Sequence, residues 1–236
     1  MTNITEIVCE TKQDWKVTIG NQKKEAPYLL IDNWYTAQEQ EEVWYELDMF
    51  STQPDKDKAD DQNSPVARGP RGEARSNAWR FHVWDFYTQE GLKMSPIHRC
   101  LYKQRSKAFH NLVQKAMPLH KSNFVSTNKD ATFISYYDKA KYYKPHCDTV
   151  QFTCLIWMYK EPKQFFGGNL RLTAADTTIE CVNNRMLIFP GYLEHEVTEV
   201  KSKDNIKMGH GRYCITHFYN WESSCYQPKH QFDHNF

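Results

Sequence analysis

From Ala131 onward the chain is a series of short runs rich in Phe, Ile, Tyr, Val and Thr, separated by turn residues: ATFISYYD, FTCLIWMYK, GGNLRLTA, TIECV, RMLIFP, EHEVTEV and RYCITHFYNW. Each run is the length of a strand, and the spacers are too short to hold helices. This half of the chain is therefore expected to form an all-β sandwich or jelly roll.

The first half reads differently. Residues 1–25 are polar and are expected to be an irregular lead-in or an edge strand. APYLLIDNWY reads as a strand, after which Thr36 and Glu39 have capping-box spacing and Val43, Trp44, Leu47 and Phe50 form a helical stripe. Residues 51–78 carry three prolines, several charges and few large apolar side chains, the composition of a functional lid or a disordered segment. AWRFHVWDF alternates like a strand, and PIHRCLYKQRSKAFHNLVQKAM reads as one helix that Pro118 stops. The expected class is mainly β with supporting helices, in a single domain over residues 1–236. Residues 1–130 would supply N-terminal strands and helices, and residues 131–221 the β core.

Thirty basic and twenty-nine acidic residues leave a net charge of +1, so no overall field points to a nucleic acid or an anionic membrane. Seven cysteines at irregular spacings make no C-x-x-C pair and no evident disulfide framework. No basic and apolar leader opens the chain, and no window approaches a membrane span. A soluble cytoplasmic protein with reduced thiols is the expectation.

YKPHCDTVQF places His146 and Asp148 two positions apart. If this stretch is a strand, both side chains project from one face and can chelate one ion, while Cys147 points away. With ten histidines in the chain, the pair alone is weak. His195 follows 47 positions after Asp148, where RMLIFPGYLEHEV ends one strand and opens the next. Two histidines and a carboxylate are the set that holds non-haem Fe(II) with open positions, although zinc accepts the same ligands. His210 and His217 are rivals for the third place, one in a glycine-flanked loop and the other expected on the opposite face of its strand. Arg212 opens RYCITHFYNW, and a buried arginine there requires an anion that its planar fork can grip bidentately, such as the distal carboxylate of 2-oxoglutarate. Thr216, four positions on, shares its face.

Taken in order, the tyrosine-bearing YYDKAKYYKPHCD, FTCLIWMYK, GGNLRL, RMLIFP with HEV, and RYCIT resemble the Fe(II)/2-oxoglutarate-dependent dioxygenase superfamily, and within it the prolyl 4-hydroxylase and prolyl-hydroxylase-domain branch. The resemblance covers residues 131–221 and implies a double-stranded β-helix (jelly roll) core. It implies that His146, Asp148 and His195 bind iron, that Arg212 binds the distal carboxylate of 2-oxoglutarate, and that Tyr137 donates its hydroxyl to that cosubstrate. Thr153, Leu170 and Thr216 would line the pocket. The family places its basic residue nearer the distal histidine than the seventeen positions seen here, so KSKDNIKMG is read as an inserted hairpin loop.

The implied activity is hydroxylation of a peptidyl proline with Fe(II), 2-oxoglutarate and O2, forming succinate and CO2, with ascorbate as a supporting reductant. The implied partner is a peptide or protein containing proline. In the branch, the connection between early strands closes over the peptide, and residues 51–78 resemble that lid in position. Arg68, Arg71 and Arg75 within it read first as a solvated face. Trp79, Trp84 and Trp157 are either core or apolar walls for a proline ring. Asp148 favours hydroxylation, because halogenating relatives lack a carboxylate there. Nucleic-acid dealkylases carry a second arginine after the first, and RYCITHFYNW has none. Two alternatives stay open: the same chemistry on a free amino acid or another side chain, and a non-catalytic metal-binding β-barrel module.

Overall fold

The computed structural model describes residues 4–8, 14–21, 25–52, 57–58, 66–88 and 90–222. Strands β1 (Ile4–Val8), β2 (Lys16–Gly20) and β3 (Tyr28–Asp32) lead into helix α1 (Ala37–Ser51). Strands β4 (Asp57–Lys58) and β5 (Trp79–His82) precede α2 (Pro96–Leu101), α3 (Lys107–Ala116) and α4 (Lys121–Val125). The rest is strand: β6 (Lys129–Tyr137), β7 (Tyr143–His146), β8 (Phe152–Met158), β9 (Phe166–Gly167), β10 (Leu170–Leu172), β11 (Thr177–Ile179), β12 (Arg185–Pro190), β13 (His195–Val197), β14 (Val200–Lys201) and β15 (Arg212–Asn220).

Among the described residues, the larger sheet runs β1-β2-β3-β12-β8-β15-β6-β5-β4 and the smaller one β11-β10-β13-β7, with β14 pairing β9 beside them. All pairings are antiparallel. The two sheets enclose one apolar cluster that includes Leu155, Trp157, Leu187 and Phe189 from the larger sheet and Leu170, Leu172 and Val197 from the smaller. Helices cover the other face of the larger sheet, where Val43, Leu47, Leu101 and Leu112 meet Ile134, Ile156, Ile188 and Ile215. This is the mainly β class with supporting helices, and the sheets form the double-stranded β-helix core.

The double covering explains why FTCLIWM is apolar on both faces. Every residue of β8 is buried, because it lies mid-sheet with helices behind it and the smaller sheet in front. Strand β15 alternates its address instead: Tyr213 and Ile215 pack toward the helices, Cys214 and Thr216 toward the cavity between the sheets.

The N-terminal polar segment extends the sheet edge as β1 and β2. The capping box at α1 forms as its spacing requires, Thr36 Oγ1 accepting from Glu39 N and Glu39 accepting from Thr36 N. The single long helix expected after Pro96 is instead broken. Chain 102–105 tightens into a 3-10 turn, and Ser106 caps a new helix by accepting from Phe109 N at 3.2 Å. A serine side chain offers the backbone this alternative to continuing the helix, which outcompetes the apolar periodicity.

Candidate active site

Strand β7 ends at His146, so Asp148 lies in the following turn and not, as the strand reading expects, two places along the same ladder. Its N–H donates to Gly191 O at 2.9 Å, which folds the turn back against the entry to β13. The ladder between β7 and β13 sets His146 directly opposite His195. This register brings the two imidazoles together, with ring centroids 4.3 Å apart. Nε2 of His146 lies 3.6 Å from Asp148 Oδ1, and Nε2 of His195 lies 3.4 Å from Asp148 Oδ2. One ligand atom from each of the three residues lies within 4.8 Å of the others.

The tautomers follow from the backbone. His146 Nδ1 lies 2.9 Å from Lys144 O and His195 Nδ1 2.8 Å from Leu193 O, and a carbonyl can only accept. Each Nδ1 therefore donates, which leaves each Nε2, the atom facing Asp148, as the one available for a metal. Burial, and then the neighbouring His195, pushes His146 down to about 4, so its imidazole is neutral near pH 7. Thr153 Oγ1 donates to Asp148 Oδ2 at 2.6 Å and fixes the carboxylate. Two imidazoles and one carboxylate, each held by a further hydrogen bond, make a donor set that can hold a divalent ion.

The triad faces a cavity of about 440 Å³ between the sheets. Tyr137, Thr153, Leu170 and Thr216 all line it, as do Leu155 and Cys214. Thr153 reaches Asp148, which gives it a role in orienting the carboxylate as well as in shaping the wall. Arg212 lies against this wall: it pairs with Tyr137 in the ladder, and its guanidinium carbon stands 4.7 Å from the Tyr137 ring centroid. Gly168 leaves room for it, since a Cβ there would fall 2.8 Å from Arg212 Cδ.

Arg212 is fully buried, and none of its three side-chain nitrogens has a hydrogen-bond partner among the described residues. A buried guanidinium without an acceptor is costly, so the site fits an anion with two oxygens. Burial raises the Tyr137 hydroxyl to about 12, which keeps it protonated and able to donate. Together these features fit a diacid such as 2-oxoglutarate beside a metal ion.

His217 is not part of the cluster. Its Nδ1 lies 2.6 Å from Thr132 Oγ1 and its Nε2 3.6 Å from Asp130 Oδ2, away from the triad. His210 contacts Gln164. Of the three tryptophans weighed as walls for a proline ring, neither Trp79 nor Trp157 lines the cavity, and the Trp84 side chain lies outside the described residues.

Three features escaped the sequence reading. Arg80, almost fully buried, lines the cavity with its guanidinium carbon 4.8 Å from the Phe133 ring centroid. Alternation in AWRFHVW would send a charged residue to solvent, but β5 lies along the cavity with the arginine facing inward. Tyr143 stacks on His146 at 3.6 Å between centroids and accepts from Ala67 N at 2.9 Å. The third is the role of the 51–78 segment where it is described. Val66 and Ala67 line the cavity, Ser76 bridges to Tyr143, and Arg75 donates to the Pro145 carbonyl beside His146 rather than extending into solvent. Residues 53–56 and 59–65 of that segment lie outside the described residues.

Residues 131–220 match the model of the 2OG-Fe(II) oxygenase superfamily. Among solved structures, the chain is similar to a prolyl hydroxylase from Trichoplax adhaerens in complex with a peptide fragment of the hypoxia inducible factor oxygen degradation domain. The identity is 14%, over 82% of this chain and 83% of that one, with a TM-score of 0.55. It is also similar to a prolyl-4-hydroxylase from Pseudomonas putida, at 11% identity over 83% and 93% of the two chains and a TM-score of 0.54. A third is an oxidoreductase of the 2OG-Fe(II) oxygenase family from Burkholderia pseudomallei, at 13% identity over 82% and 84% and a TM-score of 0.50. No curated protein matches the sequence.

Proposed function

We propose, from the premise that residues 131–220 are a 2OG-Fe(II) oxygenase domain, that this chain hydroxylates a peptidyl proline with Fe(II), 2-oxoglutarate and O2. The observation that carries the reading is the convergence of His146, Asp148 and His195 beside the buried, acceptor-less Arg212. In this reading His146, Asp148 and His195 hold the iron, and Arg212 grips the distal carboxylate of 2-oxoglutarate. Bound iron with its cosubstrates supplies the oxidation that hydroxylates a substrate carbon while 2-oxoglutarate becomes succinate and CO2.

The protein's own part is positioning. Lys144 O and Leu193 O hold the imidazoles in the ligand tautomer, and Thr153 orients Asp148. Tyr137 donates its hydroxyl to the cosubstrate, and Leu170 and Thr216 bound its pocket. Toward the end of β15 remote from Arg212, Phe133, Phe218 and Val150 line the cavity and offer an apolar bed for a pyrrolidine ring. Residues 51–78 act as a lid over a proline-containing peptide, a role supported by Val66 and Ala67 on the cavity wall. Residues 1–130 support the catalytic core at 131–221 within one domain.

A cytoplasmic, reducing setting suits the five cysteines that are free among the described residues. No helix among those residues is long and apolar enough to cross a membrane.

Arg80 favours a second reading with the same chemistry. A guanidinium on the cavity wall suits a substrate carrying its own carboxylate, such as a free amino acid. One experiment separates the two. The protein is incubated with Fe(II), 2-oxoglutarate and ascorbate, with proline-containing peptides or free amino acids, and succinate and substrate mass are followed. Gain of one oxygen on a peptidyl proline supports the first reading, and gain only on free amino acids supports the second. Absence of Fe(II)-dependent succinate formation under every condition overturns both.

A further inference from the structure

We infer that the arm formed by residues 66–76 docks carboxylate side chains of the substrate peptide, so that the chain selects a proline with acidic residues about three to five positions away. The inference rests on the prolyl hydroxylase reading and deepens it, since that reading gives the arm's arginines no part.

The arm doubles back on itself. Arg68 and Ala74 form an antiparallel bridge, Arg75 N donates to Ala67 O at 2.9 Å, and Gly69 N donates to Glu73 O at 2.9 Å. Its root is fixed at the cavity, where Val66 and Ala67 form part of the wall. Ala67 N donates to the Tyr143 hydroxyl at 2.9 Å, Lys144 N to Arg75 O at 2.8 Å, and Ser76 Oγ to Tyr142 O at 3.1 Å. These bonds tie the arm to β7 and make it an extension of the cavity wall.

The arm is basic, with Arg68, Arg71 and Arg75 against one acid, Glu73. Glu73 folds over the arm's own turn and accepts from Arg71 N at 3.1 Å. Arg75 donates to the Pro145 carbonyl, whereas Arg71 is exposed and Arg68 is half-buried beside it, braced on Gly72 O at 3.0 Å. Inside the cavity Arg80 continues the positive surface, and the one carboxylate among the lining residues is Asp148 of the triad. Lys144 shares its surface with Glu196 and Glu199 and adds no net charge. The whole chain carries only +1, so this positive surface is local. It matches a few acidic side chains on a peptide, not the continuous charge of a nucleic acid, which needs an extended basic stripe. Spacing follows from the arm: Arg71 lies four residues beyond Ala67, about 13 Å at 3.3 Å per extended residue, the span of four residues of an extended peptide.

The test uses the full chain loaded with Zn(II) and 2-oxoglutarate. Fluorescent proline peptides of one length carry paired aspartates, asparagines or lysines about four positions from the proline, on either side, and binding is read by anisotropy. At about 0.05 M salt the better aspartate peptide is expected to bind about five- to tenfold more tightly than its asparagine counterpart, the scale of two exposed ion pairs. The difference should vanish at about 1 M salt, where the Debye length is about 3 Å. The double variant Arg68→Glu, Arg71→Glu should reverse the order and bind the lysine peptide most tightly, a result that damage to the arm would not produce.

Equal affinity of wild type for the three peptides, or binding of none, overturns the inference, as does an unchanged order in the double variant. A single-stranded oligonucleotide that displaces the aspartate peptide at a lower concentration than unlabelled peptide assigns the arm to nucleic acid and also overturns it. Turnover with Fe(II) in place of Zn(II) separates this inference from the reading beneath it. Hydroxylation of all three peptides without charge preference keeps the prolyl hydroxylase and removes the docking arm. Charge-dependent binding of peptides whose prolines never gain oxygen supports the docking arm and overturns the prolyl reading.

Discussion

Thr153 donates a 2.6 Å hydrogen bond to the Asp148 oxygen that also lies nearest His195. Asp148 sits in a turn outside the strand ladder, so its carboxylate owes much of its orientation to this hydroxyl. Thr153→Val keeps the branched shape and removes the donor. The expected outcome is a fall of about 10- to 100-fold in affinity for Mn(II) or Zn(II), the usual effect of losing a group that orients a ligand. The thermal midpoint should change little. Metal titration followed by calorimetry, alongside a melting curve, checks both halves.

Asp148→Ala removes the charge between two imidazoles whose rings are 4.3 Å apart. The remaining pair can bind a metal only weakly, and Fe(II)-dependent succinate formation is expected to fall to the rate without protein. His146→Ala should do the same, because the register opposite His195 leaves no other histidine within reach among the described residues. Retained turnover in either variant would remove the triad from the reaction.

The strands that carry this site were legible because each is short and apolar and because turn residues separate them. FTCLIWMYK and RYCITHFYNW read as strands, and both form, as β8 and β15, with every residue of β8 buried. The convergence of His146 and His195 was legible only through the order of the motifs, since no local pattern states that β7 pairs β13. Asp148 reaches the two histidines by a turn that Gly191 O closes, and a period-2 reading cannot represent such a bend. Arg80 and Tyr143 were hidden for a related reason. Whether an alternating face meets water or a polar cavity depends on which sheet covers it, and that information is tertiary. Ser106 starts a new helix inside an unbroken apolar pattern because its capping hydrogen bond competes with continuing the periodicity.

Far from the cavity, Glu46 ties α1 to α2. Its carboxylate accepts from Tyr87 at 2.8 Å, Ser95 at 2.7 Å and Ile97 N at 2.8 Å. Glu46→Ala leaves those donors without an acceptor in a buried setting and should destabilise the fold by about 1–3 kcal/mol. Burial raises the carboxyl above its ordinary 4.5, against the pull of the three hydrogen bonds. A raised folded pKa means that Glu46 contributes stability fully below 4.5 and loses that contribution as pH rises through the folded value. Glu46→Gln is neutral throughout. Wild type should therefore lose stability relative to Glu46→Gln as pH rises from about 4 to 7, read from denaturant midpoints at each pH.

Arg212 and Gly168 make a paired test of where 2-oxoglutarate is held. Arg212→Ala removes a bidentate partner and is expected to weaken 2-oxoglutarate binding about 100-fold, two charge-assisted hydrogen bonds at about 1.5 kcal/mol each. Gly168 has a φ of +65°, and an added Cβ would meet Arg212 Cδ at 2.8 Å, Val200 Cγ2 at 3.1 Å and Arg212 Nε at 3.4 Å. Gly168→Ala thus carries both a left-handed backbone cost of about 1–2 kcal/mol and a push on the guanidinium. It should lower the melting temperature and weaken 2-oxoglutarate while leaving Zn(II) affinity unchanged, because the triad sits on β7, the turn after it and β13. A Gly168→Ala protein that melts lower but binds 2-oxoglutarate normally would show that the guanidinium can shift without loss. Combined with normal binding in Arg212→Ala, it would place the distal carboxylate somewhere else.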